Sequence, residues 1–157
     1  MARQPQQIHV YLYRSAAGGY EFAVFQRSEN PLWWQGICGG VEEGETVLEG
    51  ARREIREEAG IREPFPLYRL DSVSSLPSNL FSPETQAVWG RDVVAIPMIF
   101  FAMPFEGEVT LSEEHTGFKW CAYGEAEKLV YFHDQKVALW ELNERLLRGN
   151  LIRREGR

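Results

Sequence analysis

Near the start of the chain, apolar and polar side chains alternate as they do in paired β-strands. Residues 7–13 are rich in β-branched and aromatic side chains, and residues 20–26 place alternate apolar side chains on one face. Small residues at 16–19 separate these two segments and predict a turn. We therefore expect a β-hairpin here.

The clearest helical pattern in the chain covers residues 47–59. Aliphatic residues recur every four positions and give this segment one apolar face: Val47, Ala51 and Ile55. Thr46 and Glu49 form the Thr-x-x-Glu pattern of a capping box. Gly60 provides a C-terminal stop, so the helix is expected to end at residue 59.

The remaining elements follow in mixed order. Strand patterns occupy residues 67–74, 92–103 and 117–121, a proline-containing loop is expected at 76–90, and an amphipathic helix is expected at 134–148. Val137, Trp140 and Leu147 fit one face of that last helix, and Leu139, Leu142 and Leu146 fit a neighbouring face. We expect Trp140 in the core. Strands alternating with helices predict an α/β fold in which a sheet packs between helices.

Composition narrows the class of protein. The chain has 157 residues, 44% of them hydrophobic, which fits one domain over residues 1–157 with a core at about 7–148. The basic segment 149–157, which carries Arg153, Arg154 and Arg157, is expected to be a solvated tail. The net charge of the whole chain, −6, argues against general nucleic-acid binding, although cations bound at an acidic site still permit a phosphate substrate.

Location and redox state can also be predicted. Residues 1–7 are polar and do not form a signal peptide. The most apolar run, residues 93–105, is too short to span a membrane and contains Pro97 and Pro104, so it predicts a buried strand. Two cysteines, Cys38 and Cys121, are too few for a disulfide framework. We expect a cytoplasmic protein with reduced thiols and no membrane partner, and the sequence leaves its oligomeric state open.

The predicted first helix carries an unusual group of acids. Glu54, Glu57 and Glu58 stand at positions i, i+3 and i+4, which share one helical face, so their charges repel. One interpretation is a solvated acidic face balanced by neighbouring arginines: Arg52, Arg53 and Arg56. The other is a site for Mg²⁺, which prefers oxygen ligands. A glycine-rich turn just before the helix favours the second, because backbone there can approach a ligand closely.

These residues resemble the Nudix box, a pattern of glycine, five residues, glutamate, seven residues and then Arg-Glu-aliphatic-x-Glu-Glu-x-Gly-aliphatic. Every fixed position is filled, by Gly39, Glu45 and residues 53–61. A pattern with this many constrained positions is specific. The resemblance implies an α/β/α sandwich with a mixed sheet between helices, in which the box forms a loop, a helix and a second loop.

The resemblance also implies roles for individual residues. Three glutamates and one backbone carbonyl would hold Mg²⁺ or Mn²⁺: Glu54, Glu57, Glu58 and the carbonyl of Cys38. Glu45 would pair with Arg53 and steady the helix. Gly39 and Gly60 would support the loops on either side of it.

The resemblance extends to the bacterial dATP pyrophosphohydrolases that also act on dihydroneopterin triphosphate, through scattered matches at residues 26–27, 31, 34–35, 41–46, 113–115 and 119–120. In that group a glutamate six residues before the matching tryptophan joins the metal site. The resemblance therefore implies that Glu114, six residues before Trp120, is a further metal ligand, with Glu113 as the alternative. Candidate substrate contacts in the matching stretches are Arg27, Trp34 and Lys119, each weighed against a structural role such as a salt bridge or core packing. His115 and His133 lack partners at zinc-ligand spacing.

The expected activity is Mg²⁺-dependent hydrolysis of a nucleoside triphosphate or related triphosphate to the monophosphate and pyrophosphate. Glu54 and Glu114 are both candidates for the general base. ADP-ribose or a dinucleoside polyphosphate is the alternative substrate, because the box determines the chemistry and loops such as 76–90 determine the leaving group. A non-catalytic nucleotide-binding domain is the third interpretation, and the complete set of box glutamates disfavours it.

Overall fold

The computed structural model describes residues 2–152, and a seven-stranded mixed β-sheet forms its centre. The strands are β1 (Arg3–Ala16), β2 (Gly19–Arg27), β3 (Trp34–Gln35), β4 (Ile37–Glu42), β5 (Tyr68–Pro77), β6 (Ala95–Pro104) and β7 (His115–Ala122). The sheet runs in the order β3-β2-β1-β6-β5, with β4 beside β1 and β7 beside β2. β1 and β6 are parallel, and the predicted hairpin forms between β1 and β2.

Helices cover both faces of the sheet, which confirms the predicted α/β/α sandwich. They are α1 (Val47–Ala59), α2 (Pro83–Trp89), α3 (Tyr123–Leu129) and α4 (His133–Arg148). Side chains of β1 alternate between the two faces, as a pleated strand requires. Ile8, Val10 and Leu12 join the core beneath α1, whereas Tyr11 joins the core beneath α3 and α4.

α1 has the predicted bounds because both of its caps form. The Thr46 hydroxyl accepts the N–H of Glu49 at 3.1 Å, and the Glu49 carboxylate accepts the N–H of Thr46 at 2.9 Å. Gly60 has φ 72°, a left-handed conformation that glycine adopts without strain, and its N–H bonds to the Arg56 carbonyl.

The prediction of a long loop at residues 76–90 is wrong. The segment contains the end of β5, a 3-10 turn at Ser78–Leu80 and α2. The Ser82 hydroxyl caps α2 by accepting the N–H of Thr85, and Pro83 occupies the first turn, where a missing N–H costs nothing. The Trp89 indole N–H donates to the Arg3 carbonyl at 2.7 Å and so ties α2 to β1.

The prediction that Trp140 lies in the core is also wrong, since 52% of its surface is exposed. α4 packs through another row of side chains, which includes Ala138, Leu139 and Leu142. The face formed by Val137, Trp140 and Leu147 is turned outward. Periodicity identified two apolar rows on this helix, and only contact with the sheet decides which row is buried.

Two further predictions concern a membrane span and the basic C-terminal tail. None of the helices within residues 2–152 combines the length and apolar character that a membrane crossing needs. α4 ends at Arg148 and is capped by Gly149, which has φ 66°. Arg153, Arg154 and Arg157 of the predicted basic tail lie outside the described residues.

Candidate active site

A cleft of about 420 Å³ brings most of the predicted site residues together. α1 contributes Glu54 and Glu57, the loop before β7 contributes Glu114, and β2 contributes Arg27. Cys38 and Gly39 of β4 line the same cleft. Its wall therefore carries several carboxylates and the guanidinium groups of three arginines, Arg3, Arg27 and Arg53, within a single concave surface.

Arg53 organises the acidic residues on this side of the cleft. Its Nε and Nη2 donate to the two carboxylate oxygens of Glu45 at 2.7 and 3.1 Å, and Nη2 also donates to the Gly40 carbonyl at 2.7 Å. Its Nη1 donates to Glu54 at 2.8 Å and to Glu57 at 3.2 Å. These bonds lower the pKa of Glu45 and raise that of Arg53. The planar fork of arginine makes such multiple contacts possible.

The carboxyl group of Glu54 rests directly on Gly39. A Cβ on Gly39 would overlap the Glu54 carboxyl group, so no larger residue fits here without displacing it. Glu54 is 8% exposed, and burial raises the pKa of its carboxyl group against the opposing effect of Arg53. The glycine before the helix thus determines where a functional carboxylate can sit.

Glu58 is the most deeply buried acid of the site, at 1% exposed. Its Oε2 accepts the Cys38 N–H at 3.0 Å, while its Oε1 is sealed off without a hydrogen-bond partner among residues 2–152. Burial, followed by the nearby Glu114 carboxyl group, raises the pKa of Glu58 to about 10. His115 Nε2 lies 3.8 Å from Glu58 Oε1, but burial lowers the pKa of His115 to about 4, so the imidazole is neutral at pH 7.

The loop that carries Glu114 is fixed to the end of β2. The Ser28 N–H donates to the Glu114 carbonyl at 2.9 Å, and the Ser28 hydroxyl donates to the Glu113 carbonyl at 2.8 Å. Arg27 Nη1 lies 3.6 Å from the Glu114 carboxylate, and Arg27 also pairs with Glu29. Glu114, and not its neighbour Glu113, lines the cleft.

Two predicted substrate contacts lie elsewhere. Trp34 packs against the core beneath α3 and α4, and Lys119 pairs with Glu125 at 3.3 Å. Neither residue lines the cleft. Trp33, the neighbour of Trp34, lines it instead. A strand as short as β3 gives no readable alternation, so the sequence could not decide between the two tryptophans.

Several cleft residues were not predicted at all. Phe81 comes from the segment before α2, Phe132 from the start of α4, and Gln35 from β3. The Phe132 ring lies 5.8 Å from the Trp33 ring. These residues give the cleft an aromatic wall with one buried amide. No local motif predicts a place in the cleft for them, because only the tertiary fold brings these three segments together.

The donor set fits a hard divalent cation. Carboxylate oxygens are the ligands that Mg²⁺ and Mn²⁺ prefer. The sealed Glu58 Oε1 and the raised pKa of that carboxyl group mark a position where nearby positive charge would stabilise the ionised form. Among residues 2–152, no three His, Cys, Asp or Glu side chains stand at the mutual spacing of a metal site. Arg53 donates hydrogen bonds to both Glu54 and Glu57.

A larger cleft, of about 550 Å³, lies at the ends of β1 and β6. Tyr13, Gly60, Phe65, Phe105 and Glu108 are among its lining residues, which include none of the box glutamates. Its size alone does not make it the reaction site, because Glu54 and Glu57 of the box line the smaller cleft.

Fold and site together define a hydrolase of phosphoric anhydride bonds, and comparison with known proteins gives the family. The NUDIX domain model matches residues 4–140, so the chain belongs to the Nudix family. This confirms the predicted family and enzyme class. Nudix hydrolases generally use divalent metal ions.

Individual relatives resemble the chain over most of its length. It is 31% identical to the asymmetrical bis(5'-nucleosyl)-tetraphosphatase of Sus scrofa, over 77% of each chain. It is 30% identical to the dihydroneopterin triphosphate diphosphatase of Escherichia coli K12, over 75% of this chain and 78% of that one. The crystal structure of a Nudix hydrolase from Listeria monocytogenes matches with a TM-score of 0.83 and 33% identity, covering 94% of this chain and 98% of that one.

Proposed function

We propose that this Nudix enzyme hydrolyses a nucleoside triphosphate or a related triphosphate, of the dATP or dihydroneopterin triphosphate type, to the monophosphate and pyrophosphate. The observation that carries the proposal is the composition of one cleft. Carboxylates and Arg27 line one part of it, and Trp33, Phe81 and Phe132 line another. A polyphosphate and a flat ring, joined in one molecule, match these two parts.

Mg²⁺ or Mn²⁺ is the proposed cofactor. The residues that would hold it are Glu54, Glu57, Glu58 and Glu114, together with the Cys38 carbonyl that the Nudix box implies. When bound, such an ion neutralises phosphate charge and lowers the pKa of a coordinated water. Arg53 holds Glu54 and Glu57 at the cleft through its Nη1 contacts.

The chain's own residues supply the rest of the mechanism. The Arg27 guanidinium would bind phosphate oxygens and hold the chain of phosphates beside α1. Glu114 would accept the proton of the attacking water, because its side chain is 57% exposed at the cleft and no arginine within residues 2–152 contacts it closer than 3.6 Å. Glu54, the other candidate, is buried and held by Arg53 at 2.8 Å.

Glu57→Gln tests the metal-ligand role. We expect kcat to fall by about 100-fold or more at saturating Mg²⁺, the usual cost of losing one electrostatic group from a reaction site. Glu43→Gln is the matched control, since Glu43 is an exposed acid just before α1 that does not line the cleft. Activity of Glu57→Gln within a few fold of wild type would refute this role.

A dinucleoside tetraphosphate is the second candidate substrate, and the 31% identity to the pig enzyme favours it. A panel of nucleoside triphosphates, dihydroneopterin triphosphate, dinucleoside polyphosphates and ADP-ribose separates the candidates by their products. Inorganic phosphate that appears only after added pyrophosphatase identifies pyrophosphate as the product. Faster hydrolysis of the dinucleotide than of every triphosphate would overturn the first proposal.

A further inference from the structure

Gln35 places a buried amide at the aromatic part of the cleft. Gln35 is 6% exposed and lines the cleft beside Trp33. Its Oε1 accepts a hydrogen bond from Gln135 Nε2 at 3.4 Å. Its Nε2 has no partner among residues 2–152, which leaves an amide donor available to a bound molecule.

The direction of this amide is determined by a histidine behind it. The Gly36 N–H donates to His9 Nε2 at 3.0 Å, and because a backbone N–H can only donate, Nε2 must be the acceptor. An imidazole whose Nε2 accepts a hydrogen bond is neutral and carries its single proton on Nδ1. His9 Nδ1 is therefore a donor.

Gln135 connects this donor to Gln35. His9 Nδ1, a donor, and Gln135 Oε1, an acceptor, are both buried, and neither makes a hydrogen bond within residues 2–152. The Gln135 side chain lies beside the His9 ring, so its Oε1 is the acceptor available to Nδ1. The Tyr11 hydroxyl holds Gln135 in place by donating to its backbone carbonyl at 2.8 Å.

These contacts leave one consistent orientation for both amides. Reversing Gln135 would set its NH₂ group against the His9 Nδ1–H, donor against donor, at a fully buried position. With Gln135 Oε1 towards His9, its NH₂ faces Gln35, so Gln35 Oε1 faces inward and its NH₂ faces the cleft. The cleft wall therefore offers a fixed donor and cannot present the amide oxygen.

We infer that Gln35 is a specificity-determining residue that donates a hydrogen bond to an acceptor atom on the edge of the substrate's ring, and that His9 and Gln135 position it. A ring with an oxo group where adenine carries an amino group, as in guanine or an oxopterin, accepts such a bond. The amino group of adenine would meet it donor to donor. The inference rests on the proposed triphosphate function and adds a preference among its substrates.

The test compares two ligands that bind without turnover, the α,β-imido analogues of dGTP and dATP, in buffer with Mg²⁺. We expect the wild type to bind the guanine analogue about tenfold more tightly, the size of one good base contact. Gln35→Glu replaces the donor by an acceptor of the same shape, so the ratio should fall to one or below. The ratio cancels effects of misfolding or added charge that weaken both ligands equally.

Gln135→Met tests the positioning role. Gln35 then loses its fixed direction, and the preference should shrink toward one although Gln35 remains. Gln6→Met, a glutamine of β1 that does not line the cleft, is the control and should keep the wild-type ratio. Equal affinities in the wild type, absence of binding, or an unchanged ratio in Gln35→Glu would each overturn the inference. Hydrolysis of the natural triphosphates is measured separately, so failure of the proposed function is seen independently.

Discussion

Gly39 and Glu54 touch across the junction between β4 and α1, with the glutamate carboxyl group lying on the glycine Cα. The contact joins the strand before the helix to an acid in the middle of the helix. Arg53 holds the same carboxyl group from its other side at 2.8 Å. Glu54 is thus held between a backbone surface and a guanidinium group, which leaves its carboxyl group little freedom.

Gly39→Ala should therefore reduce activity more than stability. The added methyl group must displace the Glu54 carboxyl group, and a shift of about 1 Å at a reaction site can cost about 100-fold in rate. Steady-state kinetics with excess Mg²⁺ measures the effect. Gly124→Ala is the control, because a Cβ at Gly124 would meet no atom within 4 Å and should leave kcat unchanged. Equal kinetics for the two variants would contradict this account of Gly39.

Arg53→Lys should destabilise the protein despite keeping the charge. A lysine cannot reproduce the fork that bonds Glu45, Gly40 and Glu54 together. We expect a loss of about 2–3 kcal/mol in the free energy of unfolding, since partly buried carboxylates lose their donors. Urea unfolding measures it. Arg56→Lys changes an exposed arginine of the same helix and should alter stability by less than about 0.5 kcal/mol.

Trp33 and Trp34 should fail in different ways when each is replaced by leucine. Trp33→Leu removes an aromatic face from the cleft and should raise KM about tenfold, with little change in unfolding. Trp34→Leu removes packing against the core beneath α3 and α4 and should cost about 1–2 kcal/mol of stability, with KM nearly unchanged. An increase in KM for Trp34→Leu and none for Trp33→Leu would mean that Trp34, and not Trp33, contacts the substrate's ring.

Glu141 makes stability depend on pH. It accepts the N–H groups of Asp71 and Ser72, both at 2.8 Å, and the Arg145 Nε–H at 2.7 Å. Burial alone would raise the pKa of Glu141, but these donors together lower it below its ordinary value of 4.5. A lowered pKa in the folded state stabilises the protein above about pH 4.5, and this contribution is lost as the pH falls through the folded-state pKa.

Glu141→Gln should accordingly lower the free energy of unfolding by about 1–3 kcal/mol at pH 7, and the difference from wild type should shrink as the pH falls below about 4.5. Chemical unfolding across this pH range measures the difference. Glu144→Gln, which removes only a surface contact with Arg148, should change stability little at any pH. A difference that stays constant from pH 7 to pH 3 would refute the pKa argument.

Local signals predicted the parts of the fold that local interactions stabilise. α1 and most of α4 were predicted because caps and periodicity are encoded within a few residues of each other. α2 was missed although Ser82 and Pro83 form a start signal, because proline was interpreted there as a loop residue. α3 has no side-chain cap and is short, so its helical state depends on packing against β2, β7 and α4.

The residues of the candidate site likewise include some that the sequence predicted and some that it could not. Glu54, Glu57 and Glu58 follow from helical spacing, and the family pattern supplied Glu114 and Arg27. Gln35, Phe81 and Phe132 could not be found from the sequence, because they come from separate segments that meet only in the folded cleft. Trp140 is the opposite case. Its apolar character predicts burial, but its position on the outer face of α4 leaves it exposed.

The hydrogen bonds between Glu141 of α4 and strand β5 have a consequence for contacts between molecules. Between Arg69 and Val73 the register of β5 against β6 shifts, and the N–H groups of Asp71 and Ser72 within that stretch are satisfied by the Glu141 carboxylate. β5 is an edge strand of the sheet. A chain that ended before Glu141 would therefore leave these backbone N–H groups unpaired at this margin of the sheet. Such a margin recruits strands from other molecules, and the last helix therefore also protects the protein from self-association.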